Sequence, residues 1–170
     1  MLFLFLLCLI GIWLYYSYLS VKKKSENLLD AFEYVDTALN KRYGLLTDLI
    51  FIIQNNAVQE QSLIKEISNL RDKVIDLGLK REFINRRIAL DRELEKKTDK
   101  LIASLKANLN VASEMDFDEV IKNYAEISND INAAKKEYNT VAYALRRAVD
   151  VFPTSFMARL SNIKSFDYMK

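Results

Sequence analysis

Asp116, Asp118 and Glu119 form a short acidic cluster that resembles a site for acid–base chemistry. Neighbouring carboxylates can act as a general acid and a general base. The cluster also precedes a long apolar periodicity, and a helix N-terminus favours negative charge. Asp116 can accept a hydrogen bond from a free amide of the first turn, and Glu119 can reach back to it. The spacing therefore predicts a helix cap, with Met115 and Val120 packed across it, in preference to a catalytic pair.

Nucleophiles and metal ligands are scarce in this chain, which has no histidine and one cysteine, Cys8. The missing histidine excludes an imidazole base, a Cys/His zinc site and the Glu-x-x-His di-iron motif of some helical bundles. We interpret Tyr124, Tyr138 and Tyr143 as core or rim aromatics instead of nucleophiles, and Cys8 as an apolar side chain that faces lipid. We expect no catalytic residue, no metal site and no cofactor.

Residues 80–100 are rich in charge and could be mistaken for a binding site. Opposite charges lie four residues apart in three pairs: Glu82 and Arg86, Arg87 and Asp91, Glu93 and Lys97. This spacing supports an exposed helix. We therefore predict a solvated face on which replacing Arg87 changes stability little. The 25 basic and 23 acidic residues of the chain interleave, with a net charge of +2, so nucleic acid is not an expected partner.

The elements that would position any site begin with an uncharged segment. Residues 1–20 contain no charged side chain. As a helix, residues 2–19 would rise about 27 Å, close to the roughly 30 Å hydrocarbon core of a bilayer. Residues that prefer the headgroup level gather at one end of this segment: Trp13, Tyr15, Tyr16, Tyr18, Lys22, Lys23 and Lys24. The sequence predicts a single transmembrane anchor over residues 1–21, with the lipid bilayer as a partner.

A cleaved signal peptide is the alternative for this segment. It would need a positive n-region, an apolar stretch of about 7 to 15 residues and small residues before the cut, and the segment shows none of them. The three lysines that follow the segment favour a cytoplasmic C-terminal domain under the positive-inside rule. We expect a single-pass protein of the cell membrane with its N-terminus outside.

Residues 22–170 are expected to form one all-α domain, because three glycines and one proline leave few places for turns. The apolar period predicts helix one over residues 24–56, helix two from Leu63 to a break at Gly78, and helix three over residues 79–109. Helix four should begin at Asp116 and stop before Pro153, followed by a short helix over residues 155–160. Short connections, including Asn55-Asn56, imply an antiparallel bundle of three to four long helices.

Each of the four helices carries an apolar stripe at a spacing of three or four residues. In helix one the stripe contains Leu28, Phe32, Val35, Leu39, Tyr43, Leu46, Ile50, Ile53 and Ala57. In helix three it contains Phe83, Leu90, Leu94, Leu101, Leu105 and Leu109, and in helix four it runs from Phe117 through Ile131 and Leu145 to Phe152. We expect Leu39, Ile131 and Leu145 to lie on facing stripes. No proline or glycine separates Ile12 from Tyr43, so the anchor is expected to continue into helix one.

Several short motifs follow one another along the chain in a characteristic order and spacing. Residues 35–49 contain an acidic residue, a leucine and a basic-basic-tyrosine run, and Asp116-Phe117, Tyr138-Asn139 and residues 152–158 follow later in the chain. In this order the motifs resemble those of the LemA family of bacterial membrane proteins, although Thr47 stands in place of a proline and Gly44 in place of an aspartate. The resemblance implies an anchored helical bundle without an established enzymatic activity or cofactor.

Residues 45–53 are apolar over more of the helix circumference than one core stripe requires. We therefore expect a non-enzymatic scaffold that binds another protein or itself, with Phe51 and Ile52 as possible partner contacts. The alternative is a lipid-surface module in which Lys22, Lys23, Lys24 and the arginines Arg86, Arg87 and Arg92 engage anionic headgroups.

Overall fold

The computed structural model describes residues 1–55, 60–107 and 115–169, in which five α-helices, one 3-10 turn and no strand occur. The helices are α1 (Leu2–Asn55), α2 (Gln61–Leu77), α3 (Ile84–Lys106), α4 (Met115–Asp150) and α5 (Thr154–Leu160), with the 3-10 turn at Arg81–Phe83 before α3. The all-α class is confirmed. α1 is one uninterrupted helix, so the predicted continuity from the anchor into helix one is confirmed as well.

The predicted helix ends agree with the structure where the chemistry of the end is visible in the sequence. α2 ends at Leu77 because Gly78 adopts φ +59° and ψ −161°, a backbone region that is essentially restricted to glycine. α4 ends at Asp150, ahead of Pro153. α1 is described up to Asn55, and the predicted turn at Asn55-Asn56 is not tested, because Asn56 and Ala57 lie outside the described residues.

Several predicted boundaries shift, and the start of helix three shifts most. Helix three was expected from Leu79, but α3 begins at Ile84 because Lys80 is extended and a 3-10 turn must reverse the chain after Gly78. α4 begins at Met115, one residue before the predicted start, and the side chains of Met115 and Asp116 lie outside the described residues. The expected cap and the hydrophobic contact of Met115 are therefore not described, and Leu109 is also outside the described part.

The backbone divides into two compact units, and α1 and α4 contribute to both. Unit 2 is Tyr34–Ala134. Within it α2 and α3 are antiparallel, because Glu66 pairs with Lys97 and Glu60 with Ser104. α1 and α3 run in the same direction, because Asp36 pairs with Arg87 and Arg42 with Asp91. Its core contains the part of the predicted α1 stripe from Val35 to Ile53 together with residues of the other helices: Val35, Leu39, Tyr43, Leu46, Ile50, Ile53, Ile67, Val74, Leu94, Leu101, Phe117 and Ile131.

Unit 1 consists of Met1–Glu33 and Lys135–Met169. The rings of Phe32 and Tyr138 lie 5.9 Å apart and those of Trp13 and Phe152 lie 5.5 Å apart, so these parts of α1 and α4 are antiparallel. Val21, Ala148 and Ala158 form a buried cluster. The predicted short helix after Pro153 therefore packs back onto α1 and α4. Phe152, expected at the end of the core stripe, is exposed. α4 ends at Asp150, so the helical spacing of three or four residues no longer predicts which side chain is buried at position 152.

In the described part of the chain, one helix is long and apolar enough to cross a membrane, and this helix is α1. Only 6% of its most apolar window is buried inside the protein. The fold itself therefore leaves the N-terminal apolar turns uncovered, which is consistent with the predicted anchor.

Candidate functional site

The predicted anchor residues line one stretch of α1 in unit 1. Trp13, Tyr15 and Tyr16 are exposed, and Tyr18 is half-buried. Lys22 and Lys23 are exposed, and Lys22 Nζ lies 3.8 Å from Glu26 Oε1. The ammonium group of Lys24 donates a hydrogen bond to Ser20 Oγ at 3.0 Å. The rings of Tyr15 and Tyr16 and the side chains of Lys22 and Lys23 are thus directed out of the fold.

The C-terminal segment is fixed to α4 by two polar side chains of the Tyr138-Asn139 pair. The Tyr138 hydroxyl donates to the carbonyl oxygen of Asp167 at 3.1 Å. Asn139 donates to the Met169 carbonyl at 2.6 Å and accepts from the Met169 amide at 2.8 Å. Burial raises the pKa of the Tyr138 phenol, and the neighbouring Asp167 adds to this effect. A protonated phenol is a hydrogen-bond donor, so Tyr138 acts here as a structural residue.

Unit 2 contains a buried polar network between α1 and α3, and its first half centres on Arg87. The guanidinium group of Arg87 pairs with Asp36 and donates to the Gly78 carbonyl at 2.9 Å. Asn40 also donates to Asp36, at 3.1 Å. Burial raises the pKa of the Asp36 carboxyl, although Arg87 opposes this shift. Arg87 thereby holds α1, α3 and the turn after α2 together.

The second half of the network centres on Arg42. Its Nη2 donates to Asp91 Oδ1 at 2.7 Å and its Nη1 to Glu95 Oε1 at 3.2 Å. The Tyr43 hydroxyl donates to the same Asp91 oxygen at 2.8 Å. Burial alone would lower the pKa of Arg42, but Asp91 and the other acidic neighbours raise it overall. Burial, reinforced by Asp91, raises the pKa of the Tyr43 phenol. A permanently charged arginine and a protonated phenol stabilise the helix pair and offer no nucleophile.

This network corrects the interpretation of residues 80–100 as a uniformly solvated face. Arg87 is 3% exposed and Asp91 is also buried. Each pairs with α1 instead of with the other, since a partner on a neighbouring helix is available to both. One feature of the sequence indicates that Arg87 and Asp91 are buried. They fall in the same helical stripe as the apolar residues Ile84, Ile88 and Leu94. The pair of Lys97 with Glu93 is observed, and Lys97 also contacts Glu66 at 2.7 Å.

The remaining candidates for chemistry do not converge. Asp118 and Glu119 are exposed, Tyr143 is exposed, and Tyr124 is half-buried. Burial is the main cause that raises the pKa of Tyr124 to about 12. In residues 1–55, 60–107 and 115–169 no group of three or more Cys, Asp or Glu side chains is placed to hold a metal ion. Cys8 is exposed on the apolar start of α1.

The apolar surplus of residues 45–53 is largely covered by the fold. The buried members are Leu46, Leu49, Ile50, Ile52 and Ile53, and Leu45 is half-buried. Of the two possible partner contacts, Ile52 is therefore directed inward. Phe51 is 63% exposed. One aromatic ring, and not a broad apolar face, is what this segment presents to the outside.

Two comparisons with known proteins bear on identity. The sequence model described as LemA family matches residues 31–170. No curated protein matches the chain. The matched range includes Asp36, Arg42, Tyr43 and Asn139, which take part in the side-chain contacts described above.

Proposed function

Because the chain belongs to the LemA family, we propose that it is a membrane-anchored, non-enzymatic module whose helices bind a protein partner. The observation that carries this proposal is the exposed ring of Phe51. α1 supplies the anchor through residues 2–19, and the helices of unit 2 are the cytoplasmic binding part. The chain would then restrict a transient contact to the membrane surface.

Phe51 is an exposed aromatic ring with small and polar residues beside it, as in a small contact site. Gly44 and Asp48 lie on the same side of α1, within about 60° of Phe51. A methyl group added at Gly44 would meet nothing within 4 Å, so this side of the helix is open. Phenylalanine is one of the aromatic residues that are enriched in protein interfaces, whose rims are polar. We infer that the partner supplies an apolar pocket for one ring, surrounded by polar groups.

The helix that carries Phe51 is held in place before any partner arrives. Arg42 and Tyr43 are fixed to α3 through Asp91. One turn before Phe51, Thr47 accepts a hydrogen bond from Arg71 of α2 at 2.8 Å. A preorganised side chain loses little conformational freedom on binding. A single ring buries roughly 150 to 250 Å², which is well below a stable interface, so the contact is expected to be weak and reversible.

The test compares Phe51→Ser with Tyr34→Ser in the full-length chain. Tyr34 is 57% exposed on the same helix, about 100° from the side of Phe51. A photo-crosslinking amino acid at position 51 should capture a protein that the same group at position 34 does not. Unlabelled chain carrying Phe51→Ser, added in excess, should reduce this capture only weakly. Unlabelled chain carrying Tyr34→Ser should reduce it as strongly as the unaltered chain does.

Stability separates a contact residue from a core residue in this test. The melting temperature of Phe51→Ser should stay within a few degrees of the unaltered chain. A collapse of stability would show that Phe51 is structural, and equal capture at positions 51 and 34 would remove the proposed surface. Capture of a second copy of the chain at position 51 would identify self-association as the contact.

A module that binds lipid headgroups is the second candidate function. The structure reduces the number of cations that could take part in it. Lys22, Lys23 and Arg86 are exposed, whereas Arg87 is buried against Asp36 and is withdrawn from this role. Each cation near an anionic surface contributes about 1 kcal/mol. A fragment over residues 20–170 should sediment with anionic vesicles and not with neutral ones if this candidate is correct.

A further inference from the structure

Four large apolar side chains are exposed together at the end of unit 1, and we call them the C-terminal tip: Val151, Phe152, Phe156 and Leu160. Phe152 is 71% exposed and Leu160 is 72% exposed. In α5, Ala158 is buried against Val21 and Ala148, whereas Phe156 and Leu160 lie about 40° apart on the opposite side. The helix therefore has its small residue inside and its large apolar residues outside, the reverse of the pattern of a helix surrounded by water.

The tip lies beside the predicted anchor. The ring of Phe152 is 5.5 Å from that of Trp13, and Ala158 packs against Val21. Trp13 and Val21 are separated by about 12 Å along α1. The tip therefore flanks the stretch of α1 that carries the aromatic residues expected at the headgroup level. If residues 2–19 span the bilayer, the same layer must surround the tip.

The backbone of the tip suits a medium with little water. The amide of Val151 donates to Arg147, that of Ser155 to Val151, and that of Phe156 to Pro153. The Thr154 hydroxyl also donates to the Val151 carbonyl, at 2.9 Å. Backbone groups in or near lipid must be satisfied within the protein. Arg159 is exposed on α5, where its long side chain can place the charge among phosphates while its stem stays apolar.

We infer that the C-terminal tip inserts into the interfacial layer of the leaflet next to the anchor and forms a second membrane contact. The occupant of this surface is lipid, because the tip contacts α1 at the apolar part of the helix that is long enough to cross a membrane. This inference rests on the membrane placement proposed above, and it is independent of the Phe51 contact. This second contact would fix how deeply the anchor helix sits in the bilayer.

The test uses the full chain in phosphatidylcholine vesicles with a nitroxide spin label on one cysteine at a time. Phe156→Cys and Leu160→Cys report on the tip in a Cys8→Ala background. Tyr143→Cys is the matched control, since Tyr143 is exposed on α4 in the same unit. Oxygen collides with labels in lipid, and a polar nickel chelate collides with labels in water. Labels at 156 and 160 should show a higher ratio of oxygen to nickel collisions than the label at 143.

Native Cys8, labelled in the unaltered chain, separates failure of the tip from failure of the anchor. A lipid-like ratio at Cys8 together with water-like ratios at 156 and 160 would overturn the inference and leave the anchor intact. A water-like ratio at Cys8 would overturn both. Because Phe156 and Leu160 are exposed, the two substitutions should leave the helical circular dichroism and the melting temperature unchanged.

Discussion

Arg86 and Arg87 are neighbours in the chain but have opposite surroundings. Arg87 is paired with Asp36 inside unit 2, whereas Arg86 is exposed. Removing one partner of a buried ion pair leaves an uncompensated charge, so Arg87→Ala should lower the free energy of unfolding by about 3 to 5 kcal/mol. Arg86→Ala should cost less than about 1 kcal/mol. Urea denaturation of both variants measures the difference, and equal midpoints would show that the Arg87 pair does not contribute.

Tyr124 gives the residue-level prediction on pH. Burial raises its pKa from 10.0 to about 12, with Arg42 opposing the shift. Between these values the folded chain holds a proton that the unfolded chain has released, so the contribution of Tyr124 to stability falls as the pH rises through this range. Tyr124→Phe should remove that part of the alkaline loss of stability. Tyr143→Phe, at an exposed position, is the control, and identical alkaline unfolding of all three proteins would contradict the prediction.

At the scale of elements, the stripe of α4 makes a prediction with an internal control. Ile131 and Leu145 are fully buried, as expected from their spacing. Ile131→Ala or Leu145→Ala should each lower the free energy of unfolding by about 2 to 5 kcal/mol, because each leaves a cavity in a packed core. Asn132→Ala, at an exposed position next to Ile131, should change it little. A thermal melt that is insensitive to Ile131→Ala would mean that the core lies on another side of α4.

The helices were predictable because their signals are local, whereas the polar network was not. The α1 stripe from Leu28 to Ile53 follows a period of three or four residues that the sequence displays directly. Gly78 and Pro153 mark ends through their own backbone preferences. Arg87 and Asp91 carry the four-residue spacing of an exposed pair, and only the position of α1 beside α3 shows that their partners are Asp36 and Arg42. Such pairing depends on tertiary packing, which no local pattern encodes.

The same limit applies to the exposed apolar residues, of which Phe51 is predictable from the sequence and the C-terminal tip is not. Phe51 lies about 100° from Ile50 around α1 and therefore falls outside the apolar stripe that the sequence displays. The C-terminal tip was missed, since Phe152 continued the stripe of helix four in the sequence. Its exposure follows from the end of α4 at Asp150 and from the inward position of Ala158.

At the scale of the whole molecule, α1 joins two kinds of surface in one helix. Its first turns expose Leu, Phe and Ile side chains, whereas Val35, Leu39 and Leu46 are buried in unit 2. Exposed apolar surfaces of this extent mark sites of contact with a membrane or with another protein. The first turns of α1 are therefore a candidate membrane span, which is consistent with membrane anchoring.

Orientation in the membrane is the prediction that belongs to this scale. The lysines at 22–24 lie on the domain side of the apolar turns, and the positive-inside rule predicts that this side lies in the cytoplasm. A protease added outside intact cells should therefore spare the domain, and alkaline carbonate should leave the full-length chain in the membrane pellet. Replacing Lys22, Lys23 and Lys24 with Gln should make a fraction of the domain cleavable from outside. Cleavage of the unaltered chain would reverse the orientation, because the domain would then lie outside, and release by carbonate would show that α1 does not span the bilayer.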